Sequence, residues 1–398
     1  MINRVRQFAE IAKAGWLSDA LLRTMDFFAN KASQKLIVTA KIPDSPISLR
    51  DKKILFIEAV WKLDWWGFGD GIFRSPIIDW LWSDSEVQIL TRDGRSPIFY
   101  NNPNISKLHI IEQERTIWST FALISSLRNE KFDHIIGLHP TWKMHFFMYL
   151  VKTKVQSIHT SMISWDELKT TNLIQLFLSK VQASLGHIPT DIIPSPKIYP
   201  SASQTNFASM FDSNKKYVGI NLGAKSWLRN FREWWKVFEK LQTQMHIWEN
   251  TVFVLVGKDG VDGVDEEIMQ ILNSENVINF CNKTTLAETY EIISYCNGGF
   301  IGMDWGNVNA AIALRYQNNS RIIPIYNAVN PELRIPSDLP SAHCVHIPCP
   351  NGTNCFTENI ALYCSITGQM ADDNTQTPPC LQDSTAAESV YNWLLLLK

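Results

Sequence analysis

The sequence predicts an α/β protein built from two parallel-sheet halves, and three observations carry that reading. Short continuous apolar runs alternate with helical stretches over residues 52–140, and the alternation restarts near residue 217. Between them, residues 186–216 are rich in Ser and Asn and punctuated by Pro189, Pro194, Pro196 and Pro200, the composition of a crossover between domains. At 398 residues the chain also exceeds what one core usually supports, so two domains are expected.

The first half opens after about fifty helical and polar residues. "KKILFIEAV" (Lys52–Val60) is a continuous apolar run bounded by charge, the mark of a strand buried on both faces. "GDGIFRSPIIDWLW" reads as a helix, "EVQILTR" and "SKLHII" as strands, "TIWSTFALISSLRNEKF" as a helix and "DHIIGLHP" as a fourth strand. In the second half "YVGINLG", "TVFVLVG" and "VINF" read as strands. "NFREWWKVFEKLQTQ", "VDEEIMQIL" and "TLAETYEIISYC" are the helices between and after them. "GFIGMDWGNVNAAIAL" (Gly299–Leu314) gives a strand and a helix, and "RIIPIYN" is read as closing the sheet. Alternation of this kind makes parallel sheets with helices on their faces, hence two Rossmann-like halves with a cleft between them. A last helix, "AAESVYNWLLLL", has an apolar end that must be buried. The organisation expected is a helical extension (1–50), a first α/β domain (51–200), a second (201–385) and a C-terminal helix (386–398).

Composition narrows the function classes. Lys plus Arg (37) against Asp plus Glu (39) leaves a net charge of −2, so nucleic acid is not an expected partner. No run of eighteen apolar residues exists, and the start "MINRVRQFAEIAKAGWL" lacks the apolar core of a secretory signal. A cytoplasmic protein is expected. The same start reads as an amphipathic helix, with Val5, Phe8, Ala12 and Trp16 on one side and Arg4, Arg6 and Lys13 near the other. Such a helix packs on its own domain or lies peripherally on an anionic inner-membrane surface. Among seven cysteines, Cys344, Cys349, Cys355, Cys364 and Cys380 fall in one Pro/Gly/Asn-rich segment. Their spacing matches no standard paired zinc signature, so unligated loop thiols are the default. A structural metal held by Cys349, Cys355, Cys364 and Cys380 stays open. No other cofactor is expected.

The stretch at Gly299–Leu314 concentrates the functional signal. An apolar strand ends on Asp304, Trp305 follows, Gly306 breaks the pattern, and Asn307 precedes an alanine-rich helix. In open α/β sheets ligands bind at the carboxyl ends of strands, where a helix N-terminus offers unpaired N–H groups to an anion.

Several ordered motifs give the chain its likeness to a known family. "ILFIEAVWKLDWWGFGDGIFRSPIIDWL", with Gly69-Asp70 and Ser75-Pro76, "YNNPNISKLHII" and "FDHIIGLHPTWK" are the N-terminal ones. "NLGA", "NKTTLAETYEIISYC" and "GMDWGNVNAAIAL" follow in the C-terminal half. Over about residues 52–398 the chain resembles family 9 glycosyltransferases, the lipopolysaccharide heptosyltransferase-like group with the GT-B fold. That resemblance implies an acceptor domain, a nucleotide-sugar donor domain and a transfer of sugar between them. It departs at Trp305, where the family has Ser or Thr, and at Asn309, where it has His. The family's donor-side Lys is replaced by "KSWLRNF". These changes bear on the donor sugar rather than on the reaction class.

Glycosyl transfer with inversion needs a base on the acceptor hydroxyl and charge stabilisation on the leaving diphosphate. Asp70 is the candidate base, and the resemblance implies the same role; the competing reading is an ordinary N-cap. A cap needs neither Gly69 before it nor Trp61, Trp65 and Trp66 upstream. No DxD-type metal site stands at a strand end; "DGVDGVDEE" (Asp259–Glu267) reads as a loop and helix start. Helix N-termini and basic groups are the alternative, with Gly306 and Asn307 on one side. Gly223, Ala224, Lys225 and Arg229 follow "YVGINLG" on the other. Asp304, Trp305 and Asn309 complete the donor set, Trp305 by narrowing the pocket or stacking. His139 and Lys143, after the fourth strand, are the acceptor-side candidates.

The expected function is therefore a metal-independent, inverting glycosyltransferase. It would move a sugar, heptose from ADP-heptose, onto a bacterial cell-surface glycan, lipopolysaccharide or other glycolipid. The alternatives are a catalytically degenerate binding or assembly protein on the same fold, an epimerase, or a transferase with another donor sugar or a protein acceptor.

Overall fold

The computed structural model describes residues 43–58, 68–112, 117–138, 142–153, 157–200, 207–223, 231, 233–257, 268, 270–271, 274–304, 306–318, 320–339, 344–350, 352, 355, 364, 366–367, 379–382 and 384–397. The amphipathic start, the three tryptophans Trp61, Trp65 and Trp66, and most of "VDEEIMQIL" lie outside them.

The first half is a five-stranded sheet. β1 (Lys52–Ile57), β2 (Ser85–Arg92), β3 (Lys107–Ile111), β4 (His134–Leu138) and β5 (Ser157–Ser161) run in the order β3-β2-β1-β4-β5, every pair parallel. Residues Ile54 to Ile57 are fully buried, as a central parallel strand covered on both faces requires. The helices are α1 (Phe68–Phe73), α2 (Ser75–Trp82), α3 (Ile117–Asn129), α4 (Trp142–Val151), α5 (Trp165–Thr170) and α6 (Leu173–Ser184). The stretch read as one helix from Gly69 to Trp82 is two, broken at Arg74. Pro76 in the first turn of α2 has no N–H to continue the ladder, and Arg74 turns inward instead. β5, which sequence patterning did not single out, has a mixed "SIHTS" composition with only its middle residue buried. Residues 43–50, expected within the helical extension, are irregular. Pro43 and Pro46 deny that segment helical hydrogen bonds, and it is pinned by Ile47 N–H to the Leu185 carbonyl at 2.9 Å.

The second half is a six-stranded parallel sheet. β6 (Lys216–Asn221), β7 (Thr251–Val256), β8 (Val277–Asn279), β9 (Gly299–Met303), β10 (Ile322–Tyr326) and β11 (Val345–His346) are arranged β11-β10-β9-β6-β7-β8. The "RIIPIYN" strand is thus not the edge, because two residues of β11 pair beyond it. A pair so short carries no periodicity to read. α7 (Trp234–Gln242), α8 (Leu286–Ser294) and α9 (Gly306–Asn318) flank the sheet. α10 (Ser384–Leu394) and the turn after it bury Val390, Leu394 and Leu397 with Trp234 and Phe238 of α7, which is where the apolar end of the chain goes.

Both sheets reverse their winding beside their first strand, β1 next to β4 and β6 next to β9. Such switch points open a crevice at the carboxyl ends of the strands. The two halves are bound together by polar contacts. Asn172, the cap of α6, donates from Nδ2 to the Glu332 and Ile335 carbonyls at 2.7 and 2.8 Å. Arg315 of α9 reaches Asp338 at 2.6 Å and Ser195 of the crossover at 3.0 Å. Among the described residues no helix is long and apolar enough to cross a membrane.

Candidate active site at the two switch points

Asp70 lies in the first turn of α1, on the crevice side of β1. The helix carrying it is fastened from beneath by a buried ion cluster. Glu58, the residue after β1, is 2% exposed and takes three side-chain hydrogen bonds. They come from Arg95 Nη1 at 2.7 Å, Arg74 Nη1 at 3.1 Å and Thr91 Oγ1 at 2.8 Å. Arg74 Nη1 also donates to the Glu58 carbonyl at 2.9 Å, and its guanidinium stacks 5.0 Å from the Phe177 ring centroid. Burial alone would raise the Glu58 pKa, but the charges of Arg95 and Arg74 and the Thr91 bond outweigh it and hold the carboxyl below its usual value. The end of β1, the end of β2 and the junction of α1 with α2 therefore meet on one ionised carboxylate.

Across the crevice, β9 ends at Met303 and α9 begins at Gly306. Asp304 between them is 4% exposed, its N–H bonded to the Ile325 carbonyl at 2.8 Å. The Cys344 thiol is pushed up to about 12 by burial and by the nearby Asp304 carboxylate. Asn307 donates from Nδ2 to Asn221 Oδ1 at 3.0 Å, and Asn221 Nδ2 donates to the Gly223 carbonyl at 3.2 Å. This ties the first turn of α9 to the end of β6. Gly257, with φ +106°, passes close by; a Cβ there would stand 2.6 Å from Asn221 Oδ1 and 3.1 Å from Asn307 Nδ2.

The two sides touch. A Cβ on Gly69 would stand 2.3 Å from Asn309 Nδ2 and 3.7 Å from the Gly306 Cα. Of the residues singled out from the sequence, Gly69, the neighbour of Asp70, is thus brought to Gly306 and Asn309, while Asn307 is tied to the end of β6 through Asn221. Ala224, Lys225, Arg229, Trp305 and His139 lie outside the described residues, and of Lys143 only its backbone position in α4 is described. Sequence reasoning missed Glu58, Arg74, Arg95, Asn221 and Gly257. A carboxylate at the end of an apolar strand (Glu58) and an amide inside one (Asn221) were the available signals.

The five clustered cysteines divide. Cys344 feels the charge of Asp304, whereas Cys349, Cys355, Cys364 and Cys380 line one cavity of about 10 Å³ with Asn327, Ala328, Ile366 and Pro379. Burial, offset in part by the Asn327 hydrogen bond, pushes the Cys380 thiol up to about 11, with the other three cysteines adding to the rise. Among the described residues, no three or more His, Cys, Asp or Glu side chains are already grouped around a metal position.

Two parallel sheets meeting at their switch points, with a carboxylate-bearing helix on one and a helix N-terminus on the other, make the two-domain architecture of the GT-B fold. The chain is similar to lipopolysaccharide heptosyltransferases of glycosyltransferase family 9. It is 24% identical to lipopolysaccharide heptosyltransferase 3 of Escherichia coli over 284 residues, 66% of this chain and 81% of that protein. Its fold matches a family 9 glycosyltransferase from Veillonella parvula DSM 2008 at a TM-score of 0.63, with 15% identity, over 89% of this chain and 99% of that one. It matches ADP-heptose lipopolysaccharide heptosyltransferase II of E. coli at 0.58, with 16% identity, over 86% and 99%. No protein-family model matches the chain.

Proposed function

We propose that this chain is an inverting, metal-independent heptosyltransferase that moves heptose from ADP-heptose to a lipopolysaccharide-type glycan acceptor. The observation that carries the reading is the contact of the Gly69–Asp70 helix with the first turn of α9. That contact supports the reading, because transfer from a diphosphate sugar needs a carboxylate close to a helix N-terminus. In this reading Asp70 takes the proton of the acceptor hydroxyl as its oxygen attacks the anomeric carbon. The bond from that carbon to the diphosphate breaks, its electron pair leaves with the diphosphate, and the configuration inverts.

The N–H groups of α9 after Gly306 face the leaving charge, with Lys225 and Arg229 as cationic partners. Asp304 accepts a hydrogen bond from a donor hydroxyl, and Trp305 shapes the sugar pocket. His139 and Lys143 serve the acceptor. The donor follows from the likeness to heptosyltransferases that carry ADP-heptose and lipopolysaccharide in their names. The acceptor is a cell-surface glycan met at the cytoplasmic side of the inner membrane, with the basic amphipathic start as a peripheral contact. Asp70→Asn tests the base: kcat for ADP release falls by about 10² or more while ADP affinity holds. Near-normal turnover in that variant removes Asp70 from the chemistry.

A further inference from the structure

Gly69 is a glycine for a reason that its backbone conformation does not supply. Its φ lies outside the left-handed region, so an L-residue would be unstrained there. What stands where a side chain would go is the end of the Asn309 amide. A Cβ on residue 69 would stand 2.3 Å from Asn309 Nδ2 and 3.4 Å from Asn309 Cγ, against about 3.5–4.0 Å for ordinary contact. Asn309 is 4% exposed, and its Oδ1 is buried with no hydrogen-bond partner. A buried acceptor left unmet costs on the order of 1–3 kcal/mol, so packing alone is a poor reason to keep an amide there.

The same turn of α9 is held on its other flank. Asn307 is bonded to Asn221, Asn221 to the Gly223 carbonyl, and Gly257 leaves room for both amides. Gly306 and Asn309 are three residues apart and share a helix face. One turn of helix is thus clamped between the donor-side strand ends and the glycine that precedes Asp70.

We propose that Asn309 is a positioning residue. Its amide transmits the seating of the donor at the start of α9 to Gly69, and so sets where the Asp70 carboxylate stands. The inference rests on the reading of Asp70 as base and of α9 as donor floor. Displacement of the first turn moves Asn309, and Asn309 bears directly on the backbone beside Asp70. A misplacement near 1 Å costs on the order of 10²-fold in rate.

The test is a double-mutant cycle on the full chain, with ADP-heptose turnover, calorimetric ADP binding and melting temperature as readouts. Gly69→Ala is expected to lower kcat by about 10- to 100-fold with ADP affinity changed by less than about threefold. Asn309→Ala lowers kcat on its own. Combined, the two recover at least about fivefold relative to Gly69→Ala, because removing the amide makes room for the methyl. Asn309→Gln, which lengthens the side chain at an unchanged Gly69, repeats the Gly69→Ala phenotype and serves if that variant does not fold. A purely structural contact would move melting temperature without this rescue. Wild-type turnover with additive losses in the cycle overturns the coupling alone. A wild-type chain that neither binds ADP nor consumes ADP-heptose overturns the functional reading and the coupling with it.

Discussion

Replacing Glu58 by Gln keeps the shape of the side chain and removes its charge. Two guanidinium groups, Arg74 at 1% and Arg95 at 4% exposure, would then be buried with no counter-charge from residue 58. Loss of one partner of a buried ion cluster costs about 3–5 kcal/mol. A domain of some 150 residues loses about 2–4 °C of Tm per kcal/mol, so the melting transition should fall by about 10 °C. Against a total stability of about 5–15 kcal/mol that is a large fraction. Thermal unfolding followed by circular dichroism is the assay, with chemical denaturation to check that the transition stays single. The electrostatic cause has its own control. Arg95→Met in the Glu58→Gln background should recover part of the loss, because it removes one of the two cations that residue 58 no longer balances. A fall of less than about 2 °C, or an Arg95→Met loss that simply adds to the first, would refute the claim that this carboxylate holds α1 in place.

If, as proposed, a helix N-terminus and basic groups neutralise the leaving diphosphate, transfer should proceed without added Mg²⁺ or Mn²⁺ and survive a brief EDTA treatment; activity that returns only with a divalent ion would expose a metal site. Among the described residues, the four cysteines that line one small cavity are not grouped around a metal position, so elemental analysis of the folded protein should find no stoichiometric metal. About one metal per chain would instead expose a thiolate site at that cavity. His109 and His159 are each lowered to about 4, chiefly by burial, so both fold neutral. The unfolded chain, with histidines near 6.5, binds more protons below that pH, and stability should decline as pH falls from about 6.5 toward 4. A melting temperature flat across that window, or an unchanged slope in His159→Gln, would contradict it.

The sequence by itself determined the two-layered alternation, because strands buried on both faces must be written as continuous apolar runs such as "ILFI" and "VFVLV". It also marked Gly69-Asp70 and Gly306-Asn307, since a helix start at a strand end leaves its trace in local residue order. It missed β5 and β11, one with a mixed surface pattern and one only two residues long. A two-residue strand has no period to read, and five residues without an apolar run give a strand no signal either. Only the tertiary structure decided that Glu58, Thr91, Arg74 and Arg95 share one buried charge cluster, and that Gly69 and Asn309, 240 positions apart, are in contact. The reason is physical: local order is set by dihedral preference and burial pattern. Which amide meets which glycine depends on how two separately coded sheets dock, and no short window of the chain contains that information.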